Sequence, residues 1–493
     1  MGELVKISVA GRRPTGSLRA AVAVFAGEKG AGEHLDAATA AAVAQVVERA
    51  GWSGAEGQSG EASRRGGGVV QVFGLGARDE LDARRLRGFV ERALDAARSA
   101  AARRLRVCLP DHPAVRGAVA AERLAREAAL SGYRFDRFLS KPTPDPLADC
   151  ALLPPPGEER VYRRAVERAE AVAQGVALAR DLANAPPNQA TPEWLARQAT
   201  RLARRHRARI SVLGPAELRR RGMGGILAVG GGSAHPPRLV RIEVGRGRRK
   251  VALVGKGVTF DTGGISIKPA AQMEEMKWDK CGACAVLGVL EAAARLALPV
   301  RLRAYLPLAE NMPDGAAFRP GDIVRCANGR TVEIVNTDAE GRMILADALS
   351  WAAAEAPDYL VEYSTLTGAC VVALGPTGAG LFTPDDELAG DLLGSAEAAG
   401  ERLWRLPLWS EFLDEMKGSH SDLKNSGGRW GGASTAAAFL SQFVEPVQRW
   451  AHLDIAGPAY VGADGNRARR GATGFGVPLT VGWLARLAER GAE

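Results

Sequence analysis

The sequence predicts an α/β protein of two domains. A smaller N-terminal α/β domain spans residues 1–160, and a C-terminal α/β/α domain with a mixed central sheet spans residues 161–493. Three observations lead to this prediction. The chain has 493 residues, which is more than one hydrophobic core usually organises. Strand-like and helix-like segments alternate along both halves, and a proline-dense stretch at 142–156 marks the boundary region.

The N-terminal half has the alternating pattern of an α/β unit. Short apolar runs predict strands, and the alanine-rich amphipathic segments between them predict helices. The predicted strands are 18–25, 68–73 and 105–109, and the predicted helices are 35–50 and 80–101. The Gly- and Ser-rich tract 56–67 is predicted to be an exposed loop. Nothing in this half clusters acids, histidines or nucleophiles in a way that indicates a reaction.

A long amphipathic helix, predicted from about residue 158 to 184, bridges the two halves. Thr191 and Pro192 then predict a new helix, with Thr191 as its N-cap and Pro192 as its first residue. Strands and helices alternate after that point. The predicted strands are 251–254, 300–308 and 359–366, the predicted helices are 276–297 and 342–354, and 322–335 is a predicted hairpin that turns at Asn328-Gly329. Such mixed sheets hold their sites at the carboxyl ends of strands.

The composition, 46% hydrophobic and 25% charged, is that of an ordinary globular protein. No apolar run is long enough to cross a membrane, and residues 1–6 do not begin a signal peptide. The six cysteines are scattered in mostly apolar contexts: Cys108, Cys150, Cys281, Cys284, Cys326 and Cys370. We therefore expect buried thiols and a cytoplasmic location. Cys281 and Cys284 form a C-x-x-C, but no second pair or nearby histidine accompanies them to indicate zinc.

The net charge of +9 comes mainly from arginine, because only ten of the 65 basic residues are lysine. Basic clusters at 201–209, 219–221 and 246–250 leave nucleic-acid binding open as an alternative. No aromatic residues interleave with these clusters. A solvated surface is therefore the favoured interpretation.

The most informative stretch is Asn336-Thr337-Asp338-Ala339-Glu340-Gly341-Arg342. Its two carboxylates lie one residue apart, between an extended run and a helix-like run, so a loop can direct both into one cavity. Two such charges raise each other's pKa unless a positive group lies between them. Arg342 and a divalent metal ion are both candidates for that group.

Two further acids and two lysines point toward a metal. Asp261 follows the strand 251–254 in a glycine-rich segment, and Asp279 lies near the start of the next predicted helix. Lys256 and Lys268 flank Asp261, and lysine, unlike arginine, can lose its proton to become a ligand or an acid–base group. None of the six histidines has the spacing of a zinc-binding helix. A metal site would therefore be oxygen-rich, which favours Mn²⁺, Mg²⁺ or Zn²⁺.

Two other site types are excluded by spacing. In Ser419-His420-Ser421-Asp422 the groups are too close in sequence to form the relay of a Ser-His-Asp triad. Gly255-Lys256-Gly257 lacks both the spacing and the Lys-Ser/Thr ending of a phosphate-binding P-loop.

The segment VGKGVTFDTGGISIKP at 254–269, together with NTDAEGR at 336–342, resembles the leucyl aminopeptidase family (cytosol aminopeptidases, peptidase family M17). Further matches are TLTGA at 365–369, WGG at 430–432, HLDIAGP at 452–458 and TGFGV at 473–477. The matches follow the family's order from about 180 to 480 and cover the whole second domain.

The resemblance implies a metal-dependent aminopeptidase that holds two divalent ions, Mn²⁺ or Zn²⁺. Asp261 and Glu340 would bridge both ions. Lys256, uncharged, and Asp279 would complete the tighter site, and Asp338 the more exchangeable one. The family also implies a homohexamer whose enclosed sites accept short peptides.

The resemblance also implies roles for the remaining residues. Water activated by the metals would attack the N-terminal peptide bond, Lys268 would stabilise the oxyanion, and Arg342 would hold a bicarbonate that accepts the proton. The residues implied to position the substrate are Thr365, Leu366 and Gly368 for its backbone, and Met276, Ala456 and Ala459 for the terminal side chain, with leucine preferred.

One departure from the family pattern concerns the metal centre directly. Lys280 follows Asp279 at a position where the family commonly has an apolar residue. It either alters metal affinity or points to solvent. Thr262, Glu362 and Gly231 are milder departures. Two alternatives to the aminopeptidase remain, a DNA-binding regulator and a two-metal phosphoesterase.

Overall fold

The computed structural model describes residues 4–11, 18–30, 32, 34–462 and 470–490. The chain divides into two compact units, Met1–Gln174 and Gly175–Glu493. Each unit contains a sheet with helices, and the predicted α/β class with a mixed sheet in the second domain is confirmed.

In the first unit, the described residues form a six-stranded sheet with helices on both faces. The strands are β1 Lys6–Val9, β2 Leu18–Val24, β3 Ser59–Ser63, β4 Gly68–Gly74, β5 Arg104–Cys108 and β6 Asp149–Leu153, and the helices are α1 Ala37–Val47, α2 Ala83–Ser99, α3 Gly117–Leu130 and α4 Glu159–Asn184, which continues into the second unit. The strand order is β1-β6-β5-β2-β4-β3. Only β3, among the described pairs, runs antiparallel to its neighbour.

Alternation along β2 explains why both faces of this sheet are covered. Ala21 and Ala23 belong to one apolar core, whereas Ala20, Val22 and Val24 belong to another. Because successive side chains of a strand point to opposite faces, an uninterrupted apolar strand requires packing on both sides.

Two predictions for the first unit need correction. The tract 56–67 is not only a loop, since it contains β3, which pairs with β4. Ala62 is the buried residue of β3, so this polar edge strand has no apolar pattern to detect. The proline-dense stretch 142–156 contains β6, which pairs with both β1 and β5 and so belongs to the sheet.

The second unit has more elements. Its strands are β7 Arg209–Leu213, β8 Arg238–Val244, β9 Lys250–Gly255, β10 Gly257–Asp261, β11 Arg301–Asn311, β12 Ile323–Arg325, β13 Thr331–Glu333, β14 Tyr359–Ser364, β15 Gly378–Phe382, β16 Arg402–Arg405, β17 Leu423–Lys424, β18 Trp450–Asp454, β19 Tyr460–Val461 and β20 Gly471–Ala472. Its helices, after the end of α4, are α5 Pro192–Arg205, α6 Pro215–Arg220, α7 Gly224–Val229, α8 Cys281–Arg295, α9 Glu340–Ala354, α10 Gly368–Leu374, α11 Asp386–Ala399, α12 Ser410–Asp414, α13 Gly432–Ser441 and α14 Val477–Arg490.

The large sheet of this unit has the order β16-β15-β18-β14-β9-β11-β8-β7, with β10 paired to β11. The central strands β18, β14, β9 and β11 are parallel to one another, while β8 and β15 run antiparallel to their neighbours. Helices α8 and α9 both pack against β9, whose residues from Val251 onward are fully buried. The carboxyl ends of the parallel strands therefore meet at one edge.

Helix starts agree with the sequence in one case and differ in others. Thr191 accepts a hydrogen bond from the Trp194 amide at 3.2 Å, as predicted for an N-cap. The helix predicted over 276–297 is wrong at its start, because a short 3₁₀ turn, Met273–Trp278, precedes Asp279, and α8 begins only at Cys281. Helix α9 begins at Glu340, two residues before the predicted 342.

The cysteines are buried thiols, as predicted. All six cysteines are free and buried. Among the described residues, no helix combines the length and apolarity needed to span a bilayer.

Candidate metal centre and catalytic site

The carboxyl edge of the large sheet brings together side chains that are distant in sequence. Each central strand ends beside a polar residue: Lys256 after β9, Asp261 at the end of β10, Asn311 at the end of β11, Thr365 after β14 and Asp454 at the end of β18. Helix α9 contributes Glu340 as its first residue. This edge is where parallel strands in α/β proteins hold their ligands.

Lys256 lies between two carboxylates. Its Nζ is 2.8 Å from Oδ1 of Asp279 and 2.8 Å from Oε1 of Glu340, and it donates a 2.8 Å hydrogen bond to the Thr365 carbonyl. Burial of the ammonium opposes its charge, but attraction by the surrounding carboxylates raises the pKa of Lys256 above its ordinary value. Gly341 permits this approach, because a Cβ there would lie 2.6 Å from the lysine Cε.

Lys268 lies between the other two acids. Its Nζ is 2.9 Å from Oδ2 of Asp261 and forms an ion pair with Asp338. The loop after β10 turns back at Gly263, which has a φ of +85°, and a Cβ there would lie 2.9 Å from Asp338. The Lys268 amide then donates to the Thr262 carbonyl at 2.9 Å. Burial opposes the ammonium charge, yet the carboxylates raise the pKa of Lys268.

The acids themselves form an oxygen-rich cluster. One oxygen each from Asp261, Asp338 and Glu340 lie within 4.8 Å of one another. Burial, with repulsion between neighbouring carboxylates, raises the pKa values of Asp261, Asp279 and Asp338. Asp279 Oδ2 is buried and has no hydrogen-bond partner among the described residues. Carboxylates in this arrangement fit a divalent cation, which would relieve the repulsion and take up the unpaired oxygen.

Two polar residues that the sequence did not single out support this cluster. Asn311 donates from Nδ2 to Asp261 Oδ1 at 2.8 Å and to the Thr337 carbonyl at 3.1 Å. The Thr337 hydroxyl donates to the Gly263 carbonyl at 2.6 Å and accepts from the Ser266 amide at 2.8 Å. The signal for Asn311 was present, since it is a polar residue at the end of a buried strand, like Asp261.

Arg342 lies in the first turn of α9 with only 8% of its surface exposed. Among the described residues it forms no ion pair or hydrogen bond, and its buried Nε has no partner. Burial lowers the pKa of Arg342 to about 10, and the negative charges of Glu340 and Asp454 oppose that shift. A buried guanidinium without a protein partner favours an anionic ligand.

The loop after β14 is tied to the cluster. The Thr365 hydroxyl donates to Asp279 Oδ1 at 2.6 Å, and the Leu366 amide donates to Asp454 Oδ1 at 3.2 Å. Gly368 begins α10 at the surface, and an added Cβ there would meet open space within 4 Å. Thr365 is therefore hydrogen-bonded directly to a metal-ligand candidate, Asp279, and Leu366 is held by its hydrogen bond to Asp454.

The three residues expected to surround the substrate side chain lie in two segments. Met276 is half-buried in the 3₁₀ turn that precedes Asp279. Ala456 is half-buried two residues after β18, and its amide donates to Asp454 at 3.2 Å. Ala459 is buried, and its carbonyl accepts from Cys281 Sγ at 3.8 Å, so it lies against the start of α8.

Lys280 does not point to solvent, and that expectation is corrected. Its side chain is fully buried, its Nζ donates to the Ala185 carbonyl at 3.2 Å and also contacts the Lys277 carbonyl. Burial lowers the pKa of Lys280 to about 8. The side chain therefore connects the turn that carries Asp279 to the residue after α4.

Two protein-family models match the chain. The model of the "Cytosol aminopeptidase family, catalytic domain" matches residues 177–481. The model of the same family's N-terminal domain matches residues 21–142. Together they account for most of both units.

The chain is also similar to individual relatives and solved structures. The chain is 43% identical over 464 residues to a probable cytosol aminopeptidase of Syntrophotalea carbinolica, covering 92% of this chain and 93% of that protein. It is similar to the solved bottromycin maturation enzyme BotP in complex with Mn, with a TM-score of 0.83 and 38% identity over 95% of this chain and 99% of that one. A tomato leucine aminopeptidase variant gives a TM-score of 0.84 and 32% identity over 99% and 97% of the two chains.

Proposed function

The chain belongs to the cytosol aminopeptidase family of metal-dependent aminopeptidases, and we propose that it removes N-terminal residues, leucine preferentially, from short peptides. The observation that carries this proposal is the pairing of two lysines with four carboxylates at the carboxyl edge of one sheet. A buried, unpartnered guanidinium lies at the same edge.

We propose that five residues hold two divalent cations, Mn²⁺ or Zn²⁺: Lys256, Asp261, Asp279, Asp338 and Glu340. When bound, the cations supply Lewis acidity that activates water and polarises the scissile carbonyl. Only the neutral amine of Lys256 has a lone pair to offer, so coordination requires its proton to leave. The side chain of Asp279 is 9% exposed and that of Asp338 is 31% exposed, which supports a tight and a more exchangeable position.

Lys268 has the chemistry of an oxyanion donor. Its side chain is 22% exposed, so its ammonium is held at the rim by Asp261 and Asp338 rather than sealed in the core. A fixed cation that faces a cleft stabilises the negative charge that develops on the peptide carbonyl oxygen. This role belongs to the transition state and not to substrate binding.

Arg342 would hold a bicarbonate anion, which supplies a proton acceptor for the attacking water. The proposal is supported by the burial of the guanidinium and by its lack of a partner among the described residues. Arginine presents paired N–H donors that match a planar oxyanion.

The substrate would be positioned by the loop after β14 and by a small apolar surface. We assign Thr365, Leu366 and Gly368 to the peptide backbone, with the open space at Gly368 as support. Met276, Ala456 and Ala459 would surround the terminal side chain. Two small alanines and a flexible methionine suit an aliphatic residue such as leucine.

We further propose that the protein is a cytoplasmic homohexamer and that the N-terminal domain has an oligomerisation or regulatory role. The second unit exposes large apolar side chains, including Val372 at 90%, Trp430 at 77% and Trp404 at 67%. Exposed apolar groups of this size are typical of protein–protein surfaces. Six buried free thiols support a reducing compartment. Light scattering measures the assembly directly, and a monomer contradicts the hexamer.

DNA binding remains a second hypothesis from the basic clusters. Within them, Arg205 pairs with Glu291 and Arg209 with Glu243, so part of this charge is already matched within the protein. A gel shift with duplex DNA whose affinity falls steeply with salt supports the hypothesis. Absence of binding at low salt removes it.

The central test uses purified protein with Mn²⁺ and leucine p-nitroanilide. We expect hydrolysis that a chelator abolishes and Mn²⁺ restores. Lys417 is exposed and pairs only with Asp414 among the described residues, so Lys417→Ala is a matched control for Lys268→Ala. Activity that survives chelation and both the Lys268→Ala and Arg342→Ala substitutions would sink the proposal, and release of phosphate from a generic ester instead would indicate the phosphoesterase.

A further inference from the structure

Asp454 is a fully buried carboxylate that the mechanism above does not use. It accepts three hydrogen bonds, from the Leu366 amide to Oδ1 at 3.2 Å, from the Thr367 hydroxyl to Oδ2 at 2.7 Å and from the Ala456 amide to Oδ1 at 3.2 Å. Its two oxygens therefore tie together the loop after β14 and the loop after β18.

The position of Asp454 follows from strand pairing. In the parallel pair of β14 and β18, Asp454 lies opposite Ser364, the last residue of β14. The segment that leaves β14 passes directly over the carboxylate. That segment begins with Thr365, whose carbonyl accepts from Lys256 and whose hydroxyl donates to Asp279.

We propose that Asp454 is a positioning residue that aligns the substrate-binding loop after β14. It acts through the hydrogen bonds that it accepts from Leu366 and Thr367 in this loop and from Ala456 in the loop after β18. The inference rests on the proposed aminopeptidase function, since it assigns Asp454 a part in the same site. It requires no contact between Asp454 and the metals or the substrate.

Asp454→Ala removes all three hydrogen bonds that the carboxylate accepts, whereas Asp454→Asn keeps an oxygen that can accept from Leu366 and Ala456. We expect KM for leucine p-nitroanilide to rise by about tenfold or more in Asp454→Ala and by a smaller factor in Asp454→Asn. An unchanged KM in a folded Asp454→Ala protein overturns the proposal. Metal content and Tm measured on the same sample report whether the fold and the metal centre persist.

Glu362→Gln is the matched control, because Glu362 is also a buried carboxylate between β14 and β18, paired with His452. We expect it to lower Tm and leave kcat and KM nearly unchanged.

Thr367 provides a second route that does not alter Asp454. Thr367→Val removes the hydroxyl bond to Oδ2, and we expect KM to rise by about tenfold or more, as for one lost hydrogen bond to a charged group. Thr367→Ser should restore the wild-type KM. A folded Thr367→Val protein with unchanged KM overturns the loop-positioning part.

The outcomes also separate this inference from the function on which it rests. A wild-type protein without aminopeptidase activity removes the proposed function. An active wild type whose folded Asp454→Ala and Thr367→Val variants both have the wild-type KM removes only the role of Asp454.

Discussion

The Lys256 ammonium lies 2.8 Å from the carboxylate of Glu340, although Lys256 follows β9 and Glu340 begins α9. The intervening residues include helix α8, the hairpin of β12 and β13, and the strands β10 and β11. Helix α9 packs against β9. A charged lysine next to a metal-ligand candidate has a direct consequence for metal binding, because an ammonium and a metal ion compete for the same carboxylate.

Metal binding is therefore expected to release protons. The pKa of Lys256 is raised, as are those of Asp261, Asp279 and Asp338, so these four groups bind their protons more tightly than usual. Lower pH should weaken Mn²⁺ binding, by about tenfold per pH unit for each proton released. Titration calorimetry in buffers of different ionisation heat measures the number released. An affinity that does not change between pH 6 and pH 8 contradicts the expectation.

Lys268→Ala and Arg342→Ala should each lower kcat by about 10²- to 10³-fold, as removal of an oxyanion donor does in other enzymes. KM should change little, since Lys268 acts on charge that develops during the reaction and Arg342 acts on the proton transfer from water. Steady-state kinetics on leucine p-nitroanilide, with metal content measured in parallel, checks this. If a variant loses its metals, the substituted residue is needed to maintain the metal centre rather than for the reaction itself.

Gly341→Ala should disrupt the site by steric contact. The added Cβ would lie within 2.9 Å of three atoms of the Lys256 side chain, so the lysine must move away from Asp279 and Glu340. We expect weaker metal binding, kcat/KM reduced by about 10²-fold, and a loss of about 2 kcal/mol in the free energy of unfolding.

Gly390→Ala is the matched control for this substitution. Gly390 lies within α11, and an added Cβ there would meet no atom within 4 Å. Alanine in an open helical position should stabilise by about 0.5 kcal/mol and leave activity unchanged. Equal effects of the two variants on activity would contradict the steric explanation.

Asp347 should make stability depend on pH. It is fully buried in α9 and accepts from the amides of Ile226 and Ala327 at 2.9 and 2.8 Å, and burial raises its pKa to about 7. The folded protein therefore holds a proton that the unfolded chain releases near 3.8, the ordinary pKa of an aspartate. Its contribution to stability is complete below that value and is lost as pH rises through about 7.

Urea unfolding of wild type and Asp347→Asn from pH 4 to pH 8 tests this. In the variant, the free energy of unfolding should not show the part of the pH dependence that comes from Asp347. It should also lose about 2 kcal/mol at pH 5, because an amide nitrogen would face a backbone N–H. Parallel profiles for the two proteins would show that Asp347 does not titrate in this range.

The cysteines should be unreactive in the folded protein. Burial raises the pKa values of Cys108, Cys150, Cys284 and Cys370 to about 12, and the thiolate is the reactive form. A thiol reagent at pH 8 should label almost none within minutes and all six after denaturation. Rapid native labelling of two thiols would instead point to the C-x-x-C pair, Cys281 and Cys284.

Local patterns predicted the fold where burial leaves a periodic signal. Strands β2, β4, β5 and β9 are predicted because most of their residues are apolar. Strand β3 was missed because it is polar and lies at an edge, where pairing with β4 rather than burial defines it. The start of α8 was set too early because Met276 and Trp278 extend the apolar pattern through a 3₁₀ turn.

Some residues of the site can likewise be predicted from a local sequence pattern, and others cannot. The acids and lysines have local sequence signals, namely glycine-rich strand ends and the paired acids Asp338 and Glu340. Asn311 and Asp454 lie at the site because of the strand order, since β11 and β18 lie beside β10 and β14 only in the folded sheet. No local pattern reports which strands become neighbours, so supporting residues are harder to predict than ligands.

The place of β18 in the sheet also matters for how the enzyme is made. Every proposed metal ligand is translated by residue 340, but β18, which lies between β14 and β15, comes from residues 450–454. A nascent chain that has emerged only through α9 cannot complete the centre of the sheet or seat the loop after β14. The proposed site therefore cannot be complete before residues 450–454 have been synthesised.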